Sequence, residues 1–142
     1  MPTKVRMIDG KEAEVPDILG TKGEVYGATI TVGAEDGSSV INVAIQLTDF
    51  LGGDLATRAS IFAWLTDDAA GQTVGTAHSS SPAIGTDGFM QVLITDLTWI
   101  LTCETDGDID IDFTDSGSQT IYLNLLMPNG TTVTSDAITH AA

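Results

Sequence analysis

The amino-acid sequence predicts an all-β protein, a single β-sandwich preceded by a short N-terminal hairpin arm. Three observations lead to this prediction. From residue 27 onward, apolar and polar residues alternate with the two-residue period of strands, and no helical period is sustained. Short apolar runs recur about every 8–12 residues between turn-forming Gly, Asp and Asn, which is typical of sandwiches and barrels. The length of 142 residues suits one domain with its own core.

Residues 1–26 are expected to form an arm that contains a small hairpin. Two strand-like stretches, 5–8 and 11–15, flank Asp9-Gly10, and Asp-Gly is a preferred sequence for a type I′ turn. Pro16 ends the second stretch, because proline has no N–H to donate to a strand ladder.

The boundary between this arm and the sandwich, residues 27–142, is placed near Tyr26. Gly20 and Gly23 precede the boundary and indicate a flexible connection. In the alternative interpretation, the first residues add edge strands to the main domain.

The first half of the sandwich is expected to hold strands at residues 28–32, 40–49, 57–66, 73–77 and 83–84. In the second of these, the apolar residues at every other position from Ile41 to Leu47 share one face, as in a half-buried strand. The third is apolar on both faces, with Phe62 and Trp64 opposite the core-facing residues. We therefore expect it to be a central strand or to meet a partner.

The second half is expected to hold strands at residues 89–94, 97–103, 109–113, 120–127 and 131–139. Asn129-Gly130 is the strongest hairpin signal, and we expect a type I′ turn there, with positive φ at both central residues. Trp64 and Trp99 fall on strands and are expected in the core, with an interface anchor as the alternative. An immunoglobulin-like sandwich is preferred, and a jelly roll is the alternative.

The charge distribution excludes two classes of partner. The chain carries a formal net charge of −15, from five Lys/Arg and twenty Asp/Glu. Residues 1–22 hold four of the five basic residues and are net neutral, and no basic residue follows Arg58. Nucleic-acid binders need a clustered basic face, and proteins that bind anionic membranes need basic residues as well. We therefore expect neither nucleic acid nor a membrane as partner.

The sequence offers few groups for chemistry. His78 lies in a serine-rich stretch and is expected on a surface loop, and neither it nor His140 belongs to a nucleophile motif, so no enzymatic activity is expected. The single cysteine, Cys103, excludes an intramolecular disulfide and is expected to be a buried, inert thiol. No signal-like or membrane-spanning apolar segment is present, so we expect a soluble protein made in the cytosol.

An acidic ladder is the sharpest local feature. Asp108, Asp110 and Asp112 alternate with apolar residues, so on a strand they lie on one face at steps of about 6.6 Å. Carboxylate oxygens of this kind suit Ca²⁺, which makes these three residues a candidate metal site. The alternative is a solvated outer face opposite a buried one, the ordinary pattern of a half-buried strand. No other cofactor is expected.

Four stretches of the chain resemble small virion structural proteins of tailed bacteriophages. They are ATITVGAEDGSSVINVAIQLTD (28–49), ASIFAWLTDDAAGQT (59–73), IGTDG (84–88) and IYLNLLMPNGTTVTSDAIT (121–139). The resemblance is one of strand and turn pattern, and it covers most of the chain after residue 27. It implies a compact β-domain that decorates or cements a capsid without enzymatic activity.

The resemblance also implies a partner and a location. A decoration or cement protein binds the outer surface of the head shell and stabilises it, so the expected partner is the major capsid protein. The chain is expected to be made in the host cytoplasm, to reside on the capsid exterior of the virion and to form a homo-oligomer on the shell. We expect contacts from Lys4, Arg6 and Lys11 of the arm and from Phe62 and Trp64 of the two-faced strand.

An alternative function belongs to a different class. In that interpretation the chain is an immunoglobulin-like adhesion or receptor-binding module of a phage head or tail fibre. Its loops, such as residues 71–82, would then carry recognition.

Overall fold

The computed structural model describes residues 4–6, 12–14 and 24–141. Every regular element within them is a β-strand, which confirms the predicted all-β class. The strands are β1 (Lys4–Arg6), β2 (Glu12–Glu14), β3 (Gly27–Val32), β4 (Val40–Thr48), β5 (Ser60–Thr66), β6 (Ala83–Ile84), β7 (Phe89–Ile94), β8 (Thr98–Thr102), β9 (Asp108–Thr114), β10 (Gln119–Leu126), β11 (Thr132–Thr134) and β12 (Ile138–His140). The described residues form no helix that is long and apolar enough to cross a membrane.

Two antiparallel sheets pack against each other as a β-sandwich, which confirms the predicted architecture. The four-stranded sheet has the order β3-β4-β9-β6, and the six-stranded sheet has the order β11-β10-β5-β8-β7, with β12 also pairing with β10. Strands β3-β4-β9-β6 and β11-β10-β5 follow the A-B-E-D and G-F-C orders of an immunoglobulin-like sandwich. Strands β8 and β7 extend the second sheet beyond β5.

The core lies between the two sheets and is formed by the inward face of each. In β4, every other residue from Ile41 to Leu47 is buried, as predicted, while the residues between them point outward. Trp99 of the six-stranded sheet is 1% exposed, and its ring meets that of Phe113 from the other sheet edge to face. Removing this apolar surface from water is the main favourable term in folding.

The two-faced strand β5 is central, because it pairs with β10 on one side and β8 on the other. Its inward residues Ile61, Ala63 and Leu65 are buried. Phe62 and Trp64 lie on the opposite, outer face of the sheet and remain partly accessible. Packing in the sandwich core therefore explains the inward apolar face of β5 but not its outer apolar face.

The strand predicted at residues 73–77 is wrong. Val74 makes one isolated bridge to Thr66, and no ladder continues from it. Asp67 instead accepts hydrogen bonds from the backbone N–H and the hydroxyl of Thr76. Side-chain contacts within the loop therefore take the place of strand pairing in this segment.

The turn between β10 and β11 differs from the predicted type I′ turn. Leu126 pairs with Thr132 and Met127 N–H donates to the carbonyl of Thr131, so the loop has three residues, Pro128-Asn129-Gly130. Gly130 has φ of 87°, whereas the two residues before it have negative φ. A two-residue turn at Asn129-Gly130 would pair residue 128 with Thr131 and require an N–H donor at residue 128, which proline lacks. A turn closed by a left-handed glycine forms instead.

The strand predicted at residues 131–139 is divided into β11 and β12, whose registers on β10 differ by one residue. Ser135 lies at this offset. Its N–H donates to the carbonyl of Leu123, and its Oγ accepts the N–H of Leu123. The serine side chain thus replaces the ladder bond that the offset removes.

In the arm, β1 and β2 pair antiparallel with Arg6 opposite Glu12. A two-residue turn at Asp9-Gly10 would place Arg6 opposite Ala13, so the observed register is one residue away from the predicted one. The predicted turn itself lies outside the described residues.

Candidate binding face of the six-stranded sheet

The outer face of the six-stranded sheet carries a row of apolar side chains. The row crosses β10, β5 and β8 through the register partners Leu126, Phe62 and Ile100, and the polar Gln91 of β7 follows Ile100 at its end. The first three are 41%, 38% and 36% exposed, although an outer sheet face is ordinarily polar. A contiguous apolar surface of this kind indicates an interaction site. We call its exposed or partly exposed members the apolar face: Phe62, Trp64, Ile94, Ile100 and Leu126.

A groove of about 360 Å³ opens beside this row. Trp64, Ile94 and Leu126 line it from the sheet, and Val74 lines it from the segment that follows β5. The rings of Phe62 and Trp64 lie with centroids 5.7 Å apart. The two strand residues that the sequence singled out as partner contacts therefore share one accessible apolar surface.

The loop after β5 holds Trp64 in place. The indole Nε1–H donates to the carbonyl of Gly71 at 3.3 Å. Gly71 has φ of 72°, and a Cβ at this position would lie 2.7 Å from Oδ1 of Asn124, so the close approach requires glycine. Asp68 closes the loop by accepting the N–H of Gln72 at 3.0 Å, and this bond is the main cause that lowers the pKa of Asp68.

Asn124 is a polar residue of the outer face that is nonetheless fully buried. Its Nδ2 donates to Oγ1 of Thr66 at 2.8 Å, and its Oδ1 accepts the hydroxyl of Thr134 at 2.7 Å. These bonds satisfy groups that would otherwise be costly to remove from water. Alternation along β10 predicts a solvated side chain at this position, so the burial of Asn124 is not evident from the sequence. A single Asn within the largely apolar run 121–127 was the available signal.

Among the described strands, β7 is one edge of the same sheet and enlarges its apolar surface. Four of its side chains are each about half exposed: Phe89, Val92, Leu93 and Ile94. The guanidinium of Arg58 lies 4.9 Å from the centre of the Phe89 ring and 3.6 Å from the carboxylate of Glu104. The sequence predicted this strand, but its position at an edge depends on pairing that local patterns do not specify.

The predicted arm contacts belong to a different element. Lys4 and Arg6 lie on β1, where their register partners are Glu14 and Glu12. Lys11 lies outside the described residues.

The acidic ladder lies on the outer face of β9 and contacts protein donors. Nδ2 of Asn42 on β4 donates to Asp110 at 2.9 Å and to Asp112 at 2.7 Å. Two backbone N–H groups of the turn between β6 and β7 donate to the other oxygen of Asp110. Within residues 24–141 and the two arm strands, no group of three His, Cys, Asp or Glu could hold a metal ion, and Asp108 belongs to no such group.

Asp110 and Asp108 experience different surroundings. Burial acts to raise the pKa of Asp110, but hydrogen bonds from the N–H of Asp87 and from Asn42 outweigh it and lower that pKa. The pKa of Asp108 is raised, first by partial burial and then by neighbouring carboxylates such as Asp106. The negative charge of Asp110 therefore stabilises the fold, whereas that of Asp108 opposes it.

The prediction of a surface position for His78 is wrong, since its side chain is 5% exposed. Its ring packs 5.2 Å from the ring of Phe113 and 5.1 Å from that of His140. Burial, followed by the nearby His140, lowers the pKa of His78 to about 4. The residue is therefore a neutral core side chain at neutral pH. The polar serines around it give no sequence signal of this burial.

The prediction of a buried thiol at Cys103 is confirmed. Its Sγ accepts the N–H of Ala59 at 3.2 Å and donates to the carbonyl of Thr57 at 3.4 Å. Burial raises the pKa of the thiol, which disfavours the reactive thiolate.

Comparisons with models of protein families, with curated proteins and with solved structures give no match for this chain. A functional interpretation therefore depends on the apolar face and on the resemblance of the four sequence stretches.

Proposed function

We propose that this chain is a non-enzymatic virion protein of a tailed bacteriophage that binds the outer surface of the head shell and stabilises it. The apolar face of the six-stranded sheet is the observation that carries this proposal, because such a surface on a small domain favours a protein–protein contact. The phage context comes from the sequence resemblance. Two of the stretches that carry it, 59–73 and 121–139, contain Phe62, Trp64 and Leu126.

The division between an apolar face and an acidic remainder suits a decoration protein. The net charge of −15 keeps the free domain soluble and separate from packaged nucleic acid. Burial of the apolar face against the major capsid protein supplies the attraction. A protein that binds assembled shells and not free subunits stabilises the shell by mass action. Binding at repeated positions on the shell arranges the copies as a homo-oligomer on the capsid exterior.

Reconstitution on shells tests the proposal. Purified chain is added to shells from the source phage that lack it, and bound copies per shell and the melting temperature of the shell are measured. We expect copy numbers comparable to the shell subunit and a raised melting temperature. Failure of the wild-type chain to bind these shells would contradict the proposal.

A matched pair of variants locates the contact. Phe62→Thr combined with Leu126→Thr removes two register partners of the apolar face while keeping residues suited to a strand. Leu51→Thr is the control, because Leu51 is 80% exposed in the loop after β4. We expect the double variant to fold and to lose shell binding, and the control to bind as the wild type does. Full occupancy by the double variant would exclude the apolar face as the contact.

The predicted role of the arm has its own test. Removal of residues 1–22 takes away Lys4, Arg6 and Lys11 and leaves the sandwich, residues 27–142. We expect the truncated chain to fold and to bind shells weakly or not at all. Decoration at full occupancy by the truncated chain would exclude the arm as a contact.

Copy number separates this proposal from the alternative of an adhesion module on a fibre, which would be present in far fewer copies per virion. The loop proposed for recognition in that alternative is tied to the sandwich. Thr76 hydrogen-bonds to Asp67, His78 is buried, and Ser79 N–H donates to Asp115. These contacts support the decoration role, because they leave the loop little freedom to adapt to a receptor.

A further inference from the structure

His78 is the only buried side chain among residues 67–81, the stretch that we call the β5–β6 segment. Gly75 is buried too but has no side chain, and the next buried residue is Pro82, directly before β6. The backbone of the segment pairs with β5 through one isolated bridge and forms no ladder. A segment held in this way can open without disturbing the sheets. Its attachment to the core therefore depends on the ring of His78.

The ring of His78 is held by packing and not by hydrogen bonds. Its centroid lies 5.2 Å from that of Phe113 and 5.1 Å from that of His140. Among the described residues, neither of its ring nitrogens has a hydrogen-bond partner. A neutral imidazole fits such a place better than a charged imidazolium, because both N–H groups of the charged ring need acceptors that do not contact it here.

Burial and the neighbouring charges together disfavour protonation of this ring in the folded protein. Burial is the largest influence, and His140 of β12 acts in the same direction. Asp115, which follows β9, and Asp96, in the turn between β7 and β8, favour the charged ring but are outweighed. The pKa of His78 is therefore lowered to about 4. Protonation becomes favourable once the ring reaches solvent, where its ordinary pKa is 6.5.

The same segment forms one wall of the groove beside the apolar face. Gly71, Gln72 and Val74 line the groove from this side. The indole N–H of Trp64, on the opposite wall, donates to the carbonyl of Gly71 at 3.3 Å. Movement of the segment would therefore remove one wall of the groove and free the indole of Trp64.

We propose that His78 is an acid-operated latch, whose protonation releases the β5–β6 segment from the core and withdraws it from the groove. At neutral pH the segment is closed, and on opening the two sheets stay in place. A partner that packs against Val74 and Trp64 binds the closed segment, so partner binding and protonation of His78 disfavour each other. This coupling rests on the proposed function, in which the apolar face meets the capsid protein, whereas the opening itself does not.

Hydrogen exchange of the full chain, followed by NMR, tests the opening. The reporters are the N–H of Gly75, which donates to the carbonyl of Leu65, and the indole N–H of Trp64. After correction for intrinsic rates, their opening constants should rise about twentyfold from pH 7 to 5, as a pKa of about 4 closed and 6.5 open requires. Amides of β4 should stay better protected, and urea should affect the reporters little, because the opening is local.

Two variants assign the effect to one ring, and shells test the coupling. His78→Leu keeps an apolar side chain in the core and removes the titratable group, so the opening constant should no longer rise in acid. His140→Leu removes the other buried imidazole, and the rise should persist. At pH 5, the N–H of Gly75 should exchange more slowly in shell-bound wild-type chain than in free chain.

Opening constants that stay the same between pH 7 and 5, or that rise equally in His78→Leu, would overturn the inference. A rise that only His140→Leu abolishes would also overturn it, because the latch would then be the other ring. Unchanged exchange of Gly75 in shell-bound chain would overturn the coupling to the groove. If the chain binds shells but acid does not open the segment, the inference fails while the proposed function stands. If acid opens the segment as expected but the chain does not bind shells, the proposed function fails while the latch stands.

Discussion

His78 and His140 lie edge to face in the interior, with ring centroids 5.1 Å apart. His78 comes from the segment between β5 and β6, and His140 comes from β12. Nε2 of His140 is 3.1 Å from the carbonyl of Phe113 on β9, and the ring of His78 packs on that of Phe113. Two titratable rings thus join the segment after β5 and the last strand of one sheet to a core residue of the other.

We expect His78 to make the protein sensitive to mild acid. The folded protein holds the pKa of His78 at about 4, below its ordinary value of 6.5, so the unfolded chain binds more protons between these values. The stability that follows is present above pH 6.5 and is lost as pH falls toward 4. Asp115 and Asp96 act in the opposite direction, by favouring the charged ring. From pH 7 to 4.5, His78 should lower the free energy of unfolding by about 2 kcal/mol.

His78→Leu is the variant that checks this, with urea unfolding measured at several pH values between 7 and 4.5. Comparison with the wild type at each pH isolates the contribution of His78, because the carboxylates are the same in both proteins. The variant should show a flatter dependence of unfolding free energy on pH. A slope as steep as that of the wild type would exclude His78 as its source.

A second prediction concerns two aspartates of the acidic ladder. Asp110→Asn should lower the free energy of unfolding by about 1–3 kcal/mol, because it weakens several charge-assisted hydrogen bonds. Asp108→Asn is the matched change two residues away and should be neutral or stabilising by on the order of a few tenths of a kcal/mol, since it removes repulsion. Denaturant unfolding at neutral pH measures both, and equal effects would contradict this account.

The contributions of Asp110 and Asp108 to stability should change in opposite directions as the pH falls. Asp110 has a lowered pKa, so the stability that it contributes is present above its ordinary pKa and is lost as pH falls through the folded value. Asp108 has a raised pKa, so its destabilising charge is removed as pH falls through its folded value. NMR titration of the two carboxyl groups should show Asp108 protonating first.

A third prediction concerns calcium. The ladder was a candidate Ca²⁺ site, but Asn42 and two backbone N–H groups donate to Asp110, and Asn42 also donates to Asp112. We expect the melting temperature to be the same in millimolar Ca²⁺ and in EDTA. A clear rise in Ca²⁺ that is lost in Asp110→Asn would restore the metal hypothesis.

A fourth prediction tests how the loop after β5 approaches the sheet. Gly71→Ala should destabilise the protein by about 1–3 kcal/mol, because it combines a left-handed φ with a contact between Cβ and Asn124. Gly37→Ala is the control, since no atom lies within 4 Å of its Cβ position and its φ is not left-handed. Thermal unfolding measures the stability of both variants. Equal shifts in melting temperature would exclude the close approach of Gly71 to Asn124.

A fifth prediction uses Cys103 as a reporter of unfolding. Its thiol is fully buried and its pKa is raised by that burial, so a thiol reagent at mildly alkaline pH should not modify the native protein. Ser118→Cys adds an exposed thiol to the same chain and should react at once. The slow reaction of Cys103 should accelerate with urea in step with global unfolding. Rapid reaction of Cys103 in the native protein would show that the strand ends around it open locally.

Much of the fold could be predicted, and the errors have local causes. The strands with clear alternation, such as β4 and β9, appear close to their predicted bounds because their pattern reflects one buried face. The segment 73–77 has strand-like residues, yet its loop contacts displace ladder pairing. The turn at Asn129-Gly130 has a third loop residue because Pro128, just before it, has no N–H for the pairing with Thr131 that a two-residue loop requires.

The candidate site could be predicted only in part. The apolar outer side of β5 indicated Phe62 and Trp64, and both lie on the apolar face. Leu126 and Ile94 join them because β10 pairs with β5 directly and β7 follows β8 in the same sheet. No local pattern indicates which strands become neighbours.

The sequence by itself determined the all-β class, the inward face of each long strand and the acidic character of the sandwich. These properties are local, because alternation and charge can be read residue by residue. Only the tertiary structure decided that β7 is an edge, that Asn124 and His78 are buried, and that four strands contribute to one apolar face. Such properties depend on contacts between residues distant in the chain, where packing and hydrogen bonding outweigh the preference of a single residue for water.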